Sequence, residues 1–319
     1  ERPVPKIGPR ELLVRIMASG ICGSDVMEWY RIKTAPRVLG HEVAGIVEEA
    51  GNQVAGFKKG DRVFVTHHVP CLVCRWCLKG LHTACPTLHT TNFDPGGFSE
   101  FVRVPEINVE RGTLALPDEV SFEEASFIEP LACVIRGFRF AHFSPSESVL
   151  ELGSGVAGIL TIALAKSLGA GRMMATDINP ERLKWAKKFG AEHTFDAGEG
   201  LLDKIKKAND GRLAEFIAVT TGATAAFIQA LNCADRGGKI LFFAPAKPGV
   251  QIPLPLFEFW NNSATVNSSY GAAGKDLAEA LELIRSKRVP VKDMITHRLA
   301  LKEAQKGFQL VIEADKSLK

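Results

Sequence analysis

Four cysteines, Cys71, Cys74, Cys77 and Cys85, follow one another at C-x2-C-x2-C-x7-C spacing. No other feature restricts the folding of the chain so strongly. Zn2+ takes four thiolates in a tetrahedron. Two-residue gaps turn successive side chains toward one centre, and a longer gap closes the loop. Four sulfurs leave no coordination position open, so the cluster reads as a structural metal site holding a loop-rich lobe over residues 67–95. Gly80, between the third and fourth cysteines, permits the chain to reverse. Two disulfides or an iron–sulfur cluster are the competing readings of the same spacing. The seven cysteines are odd in number and four of them cluster, which argues against a secreted disulfide framework and for a metal in a reducing compartment, the cytoplasm. Cys133 and Cys233 lie in apolar stretches and read as buried small hydrophobes.

The 319 residues suffice for about two domains at roughly 100–200 residues each. Lysine and arginine exceed aspartate and glutamate by only 39 − 36 = 3, and no basic run stands out, so a nucleic-acid partner is not expected. No apolar stretch is long enough for a membrane span, and no signal peptide is seen. The chain opens at Glu1 without a methionine, with a strand close behind Pro9; residues are expected to be missing at both ends of the natural protein.

The local patterns change character along the chain. Residues 10–66 read as all-β, with strands over Leu12 to Met17, Val43 to Glu48 and Arg62 to Thr66, broken by glycines. Gly96 to Pro105 returns to strand. Ser121 and Glu124 form a capping box that should start a helix running to about Phe140. From Ser148 strand and helix alternate. Strands are expected at Val149 to Leu152, Met173 to Thr176, Phe216 to Val219 and Lys239 to Phe243. Helices are expected at Gly158 to Leu168, Ala223 to Leu231, Asp276 to Ser286, and after Asn179-Pro180, a cap followed by proline at the first helical position. Such alternation predicts a parallel, doubly wound sheet.

At the first of these junctions, Val149-Leu150-Glu151-Leu152-Gly153-Ser154-Gly155-Val156-Ala157-Gly158 carries G-x-G-x-x-G between strand and helix. Gly153, Gly155 and Gly158, with Val156 and Ala157 opening the helix, let backbone approach a pyrophosphate seated on the helix N-terminus. Asp177 ends the next strand, where a carboxylate accepts from ribose hydroxyls and repels a 2′-phosphate; this favours NAD over NADP. Arg182 lies close enough to blur the preference, although a surface role inside its helix is the simpler reading. Taken alone, Val-Leu-Glu-Leu-Gly-Ser-Gly with Asp177 reads equally well as the nucleotide loop of an S-adenosylmethionine methyltransferase. Gly158, which completes the dinucleotide spacing, and the residues before it decide for the dinucleotide.

Those residues are Gly20-Ile21-Cys22-Gly23-Ser24-Asp25, Gly40-His41-Glu42-x-x-Gly45, Gly60-Asp61-Arg62-Val63, the cysteine knuckle and Glu129-Pro130-Leu131-Ala132. Their order and distances resemble the zinc-containing alcohol dehydrogenases of the medium-chain dehydrogenase/reductase superfamily, and Glu129 resembles the sorbitol or polyol branch. The resemblance covers nearly the whole chain. It implies a two-domain α/β fold: a GroES-like β-barrel catalytic domain over 1–131 and 269–319, and a doubly wound parallel-sheet Rossmann domain over 132–268. It also implies a catalytic zinc on Cys22, His41 and Glu42, with Glu129 either a direct ligand or reached through water, besides the structural zinc on Cys71, Cys74, Cys77 and Cys85. Three ligands leave a position for a substrate oxygen, whose pKa the metal lowers before hydride passes to NAD.

In that family a Ser or Thr two residues after the first ligand starts the proton relay, a place held here by Ser24. The outer relay histidine is replaced by Met27, which carries no proton, so water, Glu129 or the nicotinamide ribose hydroxyls hand the proton on, or the relay is organised differently; His67 and His68 nearby read mainly as structural. Trp29 and Tyr30 fit a pocket wall or core packing equally. The Arg-Tyr pair that holds polyol hydroxyls in sorbitol-type enzymes has Ser269-Tyr270 at the apparent equivalent, so sorbitol itself is disfavoured. Ile295-Thr296-His297-Arg298 resembles the segment where the chain returns to the first domain and closes the cleft between domains. The implied activity is interconversion of an alcohol, a secondary alcohol or polyol first, with its carbonyl. A threonine-type amino alcohol is the second substrate, and a non-catalytic zinc and dinucleotide-binding protein is the rival. A homodimer or homotetramer is expected from the resemblance.

Overall fold

Valine-rich alternation builds the first sheet. In β1 (Leu12–Gly20) Leu12 and Val14 point inward. They pack with Val43 and Val47 of β2 (Glu42–Ala50), Val63 and Val65 of β3 (Arg62–Thr66), and Val102 and Val104 of β4 (Phe101–Val104). With β5 (Thr113–Ala115) the strands pair antiparallel in the order β4-β1-β2-β3-β5. The computed structural model describes residues 2–319 and resolves two compact units. One comprises the chain up to Ala132 with Gly271–Ser317 and Lys319; the other is essentially Cys133–Tyr270.

The second unit has six parallel strands: β6 (Val149–Leu152), β7 (Met173–Asp177), β8 (His193–Asp196), β9 (Ala214–Val219), β10 (Ala234–Phe242) and β11 (Thr265–Ser268). Their order is β11-β10-β9-β6-β7-β8, the Rossmann arrangement expected. Strand succession reverses between β6 and β9, and ligands of such sheets bind beyond the carboxyl ends of the strands at that point. Both faces of β6 are buried, as a parallel central strand requires. Asn179 caps the helix Pro180–Lys188 by accepting from Glu181 N–H at 2.8 Å, as its sequence predicts.

Several boundaries differ from the sequence reading. β1 continues to Gly20 because Gly20 pairs with Glu42, which brings the two segments carrying the metal-site motifs side by side. The stretch 96–100 is not strand: Gly97 and Phe98 donate their N–H groups to Gly40 and Leu39 carbonyls, bracing the loop before His41. The helix begun by Ser121 does not run unbroken to Phe140. It spans Phe122–Ala125, turns, and restarts as Ile128–Phe140. At the break Ser126 Oγ donates to the Glu123 carbonyl and Phe127 N–H reaches back only to Glu124, a local competition with helical bonding that a serine invites. Cys233 is buried as read, whereas Cys133 is only half-buried.

Candidate metal centres and dinucleotide loop

The four knuckle cysteines converge. Their sulfurs lie within 4.8 Å of one another, with Cys74–Cys77 and Cys71–Cys85 Sγ pairs at 3.6 Å. All seven cysteines are free. A tetrahedron with metal–sulfur bonds of about 2.3 Å has edges of about 3.8 Å, so the cluster fits a single ion. Backbone N–H groups of Cys71 and Cys74 point at the sulfurs of Cys85 and Cys71. Against burial, these and neighbouring donors bring the Cys85 thiol down to about 6, while burial carries Cys77 up to about 12. Gly80 adopts the left-handed conformation that ends the short helical turn at Cys77–Lys79 and reverses the chain.

The second group assembles where β1 ends beside the start of β2. Cys22, His41 and Glu42 offer donor atoms within 4.8 Å of one another. Cys22 caps a tight turn, Gly23–Val26: its sulfur accepts from Ser24 N–H, and its own N–H is donated to Asp25 Oδ2 at 3.1 Å. Asp25 is the residue the sequence reading missed. It is buried, and its Oδ1 lies 3.3 Å from His41 Nδ1 and 3.2 Å from Arg31 Nη2. That pairing fixes the ring of His41 and leaves Nε2 as the nitrogen for the Cys22 sulfur or a shared metal. Burial works against ionising Asp25, but His41, the Cys22 amide and Arg31 together hold its carboxyl below the usual range. His41 shows the complement. Burial opposes its charge, yet Cys22, Asp25 and Glu129 raise its pKa well above normal. The Cys22 sulfur and the Asp25 and Glu129 carboxyls thus bias the surroundings of His41 toward negative charge, which suits a cation.

Glu129, buried in the first turn of Ile128–Phe140, acts on His41 through its charge but lies outside the three-donor group. Ser24 Oγ accepts from Arg31 Nη2 at 2.8 Å. Lys319, distant in sequence, is a second residue the sequence reading missed: its ammonium pairs with Glu42 Oε2 and reaches the Ile21 carbonyl. Gly20 makes room for this, because a Cβ there would overlap both Glu42 and Lys319. The His67 ring lies tilted against His41, centroids 4.9 Å apart, and burial lowers its pKa well below normal; His68 Nδ1 sits 3.1 Å from the Thr91 carbonyl, a structural bond. Trp29 is half-buried and Tyr30 exposed, so Tyr30 takes no part in core packing.

In the other unit the glycine loop leaves β6 and turns into the helix Val156–Ser167, which includes Gly158. A Cβ at Gly158 would overlap the Gly153 carbonyl, which is why only glycine fits. Asp177 is more engaged than the sequence implies. Its Oδ2 accepts from Ser154 N–H and its Oδ1 from Asn179 N–H, both at 2.8 Å, so it fastens the loop to the end of β7. Each oxygen keeps a lone pair for a ribose hydroxyl. Arg182 is half-buried: its Nη1 stands 4.0 Å from Asp177 Oδ2, and its Nε is buried without a partner.

Residues 8–117 match the family described as "Alcohol dehydrogenase GroES-like domain", and residues 157–286 match "Zinc-binding dehydrogenase". The chain is 30% identical to sorbitol dehydrogenase of Bacillus subtilis, covering 98% of this chain and 89% of that protein. It is 33% identical to L-threonine 3-dehydrogenase of Rhizobium johnstonii, covering 96% and 89%. Its fold superposes on a zinc-binding dehydrogenase structure from Sinorhizobium meliloti, solved with NADP bound, at a TM-score of 0.87 and 27% identity over 96% of this chain and 90% of that one.

Proposed function

Because the chain belongs to the zinc-binding alcohol dehydrogenases of the medium-chain superfamily, on their polyol-dehydrogenase-like side, we propose that it interconverts a secondary alcohol or polyol and the corresponding carbonyl, with NAD as the preferred partner. The observation that carries the reading is the convergence of Cys22, His41 and Glu42 into one donor set, beside a closed four-thiol site. When bound at the three-donor site, zinc supplies Lewis-acid polarisation of a hydroxyl oxygen, and the dinucleotide supplies the hydride acceptor. Cys71, Cys74, Cys77 and Cys85 would hold the structural ion.

The chain's own residues do the rest. Asp25 orients His41, and Arg31 pins Asp25 and Ser24 in one network. With a lone pair of Ser24 Oγ occupied by Arg31, its O–H is the group left to exchange a proton near the first ligand. Met27 follows where a titratable side chain would continue the relay, so the proton passes from Ser24 to solvent water. Glu129 adds negative charge at His41 without joining the three donors. Asp177 supports the NAD preference; Arg182 at 4.0 Å offsets part of its charge and narrows the discrimination against NADP. A threonine-type amino alcohol is the second reading, favoured by the 33% identity to threonine dehydrogenase.

We place the enzyme in the cytoplasm because seven free thiols suit a reducing compartment. No helix among the described residues is long and apolar enough to cross a membrane. We also propose a homodimer. β11 is an unpaired sheet edge, and the neighbouring helix Leu256–Asn262 exposes Leu256, Phe257 and, at 77%, Trp260; a second copy would cover this face. Trp260→Glu should then shift the solution mass to that of a monomer.

The test of activity is reduced-nicotinamide absorbance on zinc-replete protein, with NAD or NADP, against polyols, secondary alcohols, primary alcohols and threonine. Turnover with polyols or secondary alcohols that a chelator removes is the expected result. Turnover unaffected by zinc removal, or confined to primary alcohols, overturns the reading.

A further inference from the structure

One residue of the glycine segment has no part in the scheme above. Glu151 sits on β6, the central strand, at 0% exposure. Its neighbours across the sheet are Ala175 on β7 and Ala218 on β9, small enough to leave it room. An acidic side chain inside a parallel sheet needs a reason.

The reason lies in how few hydrogens are available. Thr220 follows β9, and its Oγ1 lies 2.5 Å from Glu151 Oε1 and 2.7 Å from the carbonyl oxygen of Gly153, the first glycine of the loop. Both separations are hydrogen-bond distances, but Thr220 has one hydroxyl hydrogen. The Gly153 carbonyl can only accept. If Glu151 were a carboxylate it too could only accept, and one of the two contacts would set lone pair against lone pair. Both contacts are satisfied together in one arrangement: Glu151 carries a proton and donates it to Thr220 Oγ1, and Thr220 donates its own hydrogen to Gly153. The other carboxyl oxygen, Oε2, is buried without a partner, which a neutral acid tolerates far better than an anion. Burial and the charge of Asp177 both push the Glu151 pKa well above normal, with Thr220 acting the other way. Asp177, itself facing Arg182, is the one charged group among the described residues whose field is resolved at Glu151.

We propose that Glu151 is a positioning residue of the cofactor loop, a neutral acid that commits the Thr220 hydroxyl to the Gly153 carbonyl and so fixes the turn onto which the pyrophosphate docks. The inference rests on the reading that this loop binds a dinucleotide. Loss of the proton would turn Thr220 toward the carboxylate and release Gly153 at the point where Gly158 packs on it. Cofactor affinity is thereby linked to one buried proton, while the zinc chemistry in the other unit is not.

The experiment compares wild type with Glu151→Gln, Thr220→Val and Thr220→Ser, reading NADH dissociation constants across pH and the infrared carbonyl stretch of a protonated carboxyl. At neutral pH the acid band is expected in wild type and missing from E151Q. E151Q, whose amide donates as the acid does, should bind NADH within two-fold of wild type. T220V should bind at least ten-fold more weakly, and T220S should recover. Where the band titrates on the alkaline side, wild-type affinity should fall in step, with kcat unchanged, and E151Q should not follow. No acid band at neutral pH, an unweakened T220V, or a band that titrates with no change in affinity overturns the proposal. Failure of every form to bind NADH would instead overturn the dinucleotide reading, and the infrared band would still judge the protonation.

Discussion

The ion pair between Lys319 and Glu42 should be costly to break on one side. The Lys319 side chain is 5% exposed and that of Glu42 1%, so neither is solvated by water. Lys319→Met keeps most of the stem and deletes the ammonium, leaving Glu42 an uncompensated anion beside Gly20 and the Ile21 carbonyl loses its donor. Removing one member of a buried pair typically costs about 3–5 kcal/mol. The cost depends on what else sits at Glu42. In metal-free protein the full penalty applies; with zinc added, an ion held by Cys22, His41 and Glu42 would supply the missing cation and the loss should shrink. The double variant Glu42→Gln/Lys319→Met removes both charges and should return to within about 1 kcal/mol of wild type. Urea unfolding followed by the fluorescence of Trp29 and Trp76, with Trp185 and Trp260 replaced by phenylalanine, isolates the unit concerned. A loss below about 1 kcal/mol for K319M without zinc, or a double variant no more stable than the single, would refute the argument.

Three more outcomes are expected. Cys22→Ser should abolish turnover and lower zinc content by one ion with the unfolding midpoint nearly unchanged, whereas Cys74→Ser should lower the midpoint and free the other ion, measured by metal analysis beside thermal unfolding. Asp177→Ala should raise KM for NAD at least ten-fold, about 1.4 kcal/mol, and reduce the preference over NADP, because the loop loses its anchor to β7 as well as a ribose acceptor. Glu151, whose pKa is raised in the fold from an ordinary 4.5, stabilises most below that value, and its contribution is lost as pH rises toward the native pKa. The stability of E151Q relative to wild type should therefore grow as pH rises above 4.5, read by urea unfolding at a series of pH values; a difference that does not change with pH would refute the shift.

Much of this architecture is legible in the chain, for reasons that are local. Asn179-Pro180 marks a helix start because cap and fixed φ act on adjacent residues, and β6 is bounded as its four apolar-flanked residues indicate. The knuckle is legible because its ligands are close in sequence. What escapes is set by distance or competition. Lys319 meets Glu42 only after the chain has returned through the whole second unit. Asp25 and Arg31 stand in plain view next to Cys22, but their roles depend on where His41 arrives. The break at Ser126 comes from a side chain outbidding the backbone for one carbonyl, which no periodicity reveals. β8 and β11 have four residues each, partly polar, too short to stand out from the loops around them.

The knuckle lobe has almost no interior beyond its sulfurs: Cys77, Cys85 and Leu88 form its small buried cluster, with Cys71 and Cys74 against it. The residues between the ligands therefore owe little to packing, and Val73 and Leu78 stand 76% exposed. In evolutionary terms a metal there would convert this segment into a surface whose shape is fixed by the four cysteines and the turns at Leu72 and Gly80, and whose chemistry is open at the exposed positions between them. Descendants of this chain could exchange Val73 or Leu78 freely, acquiring new neighbours at that face without renegotiating the fold beneath it.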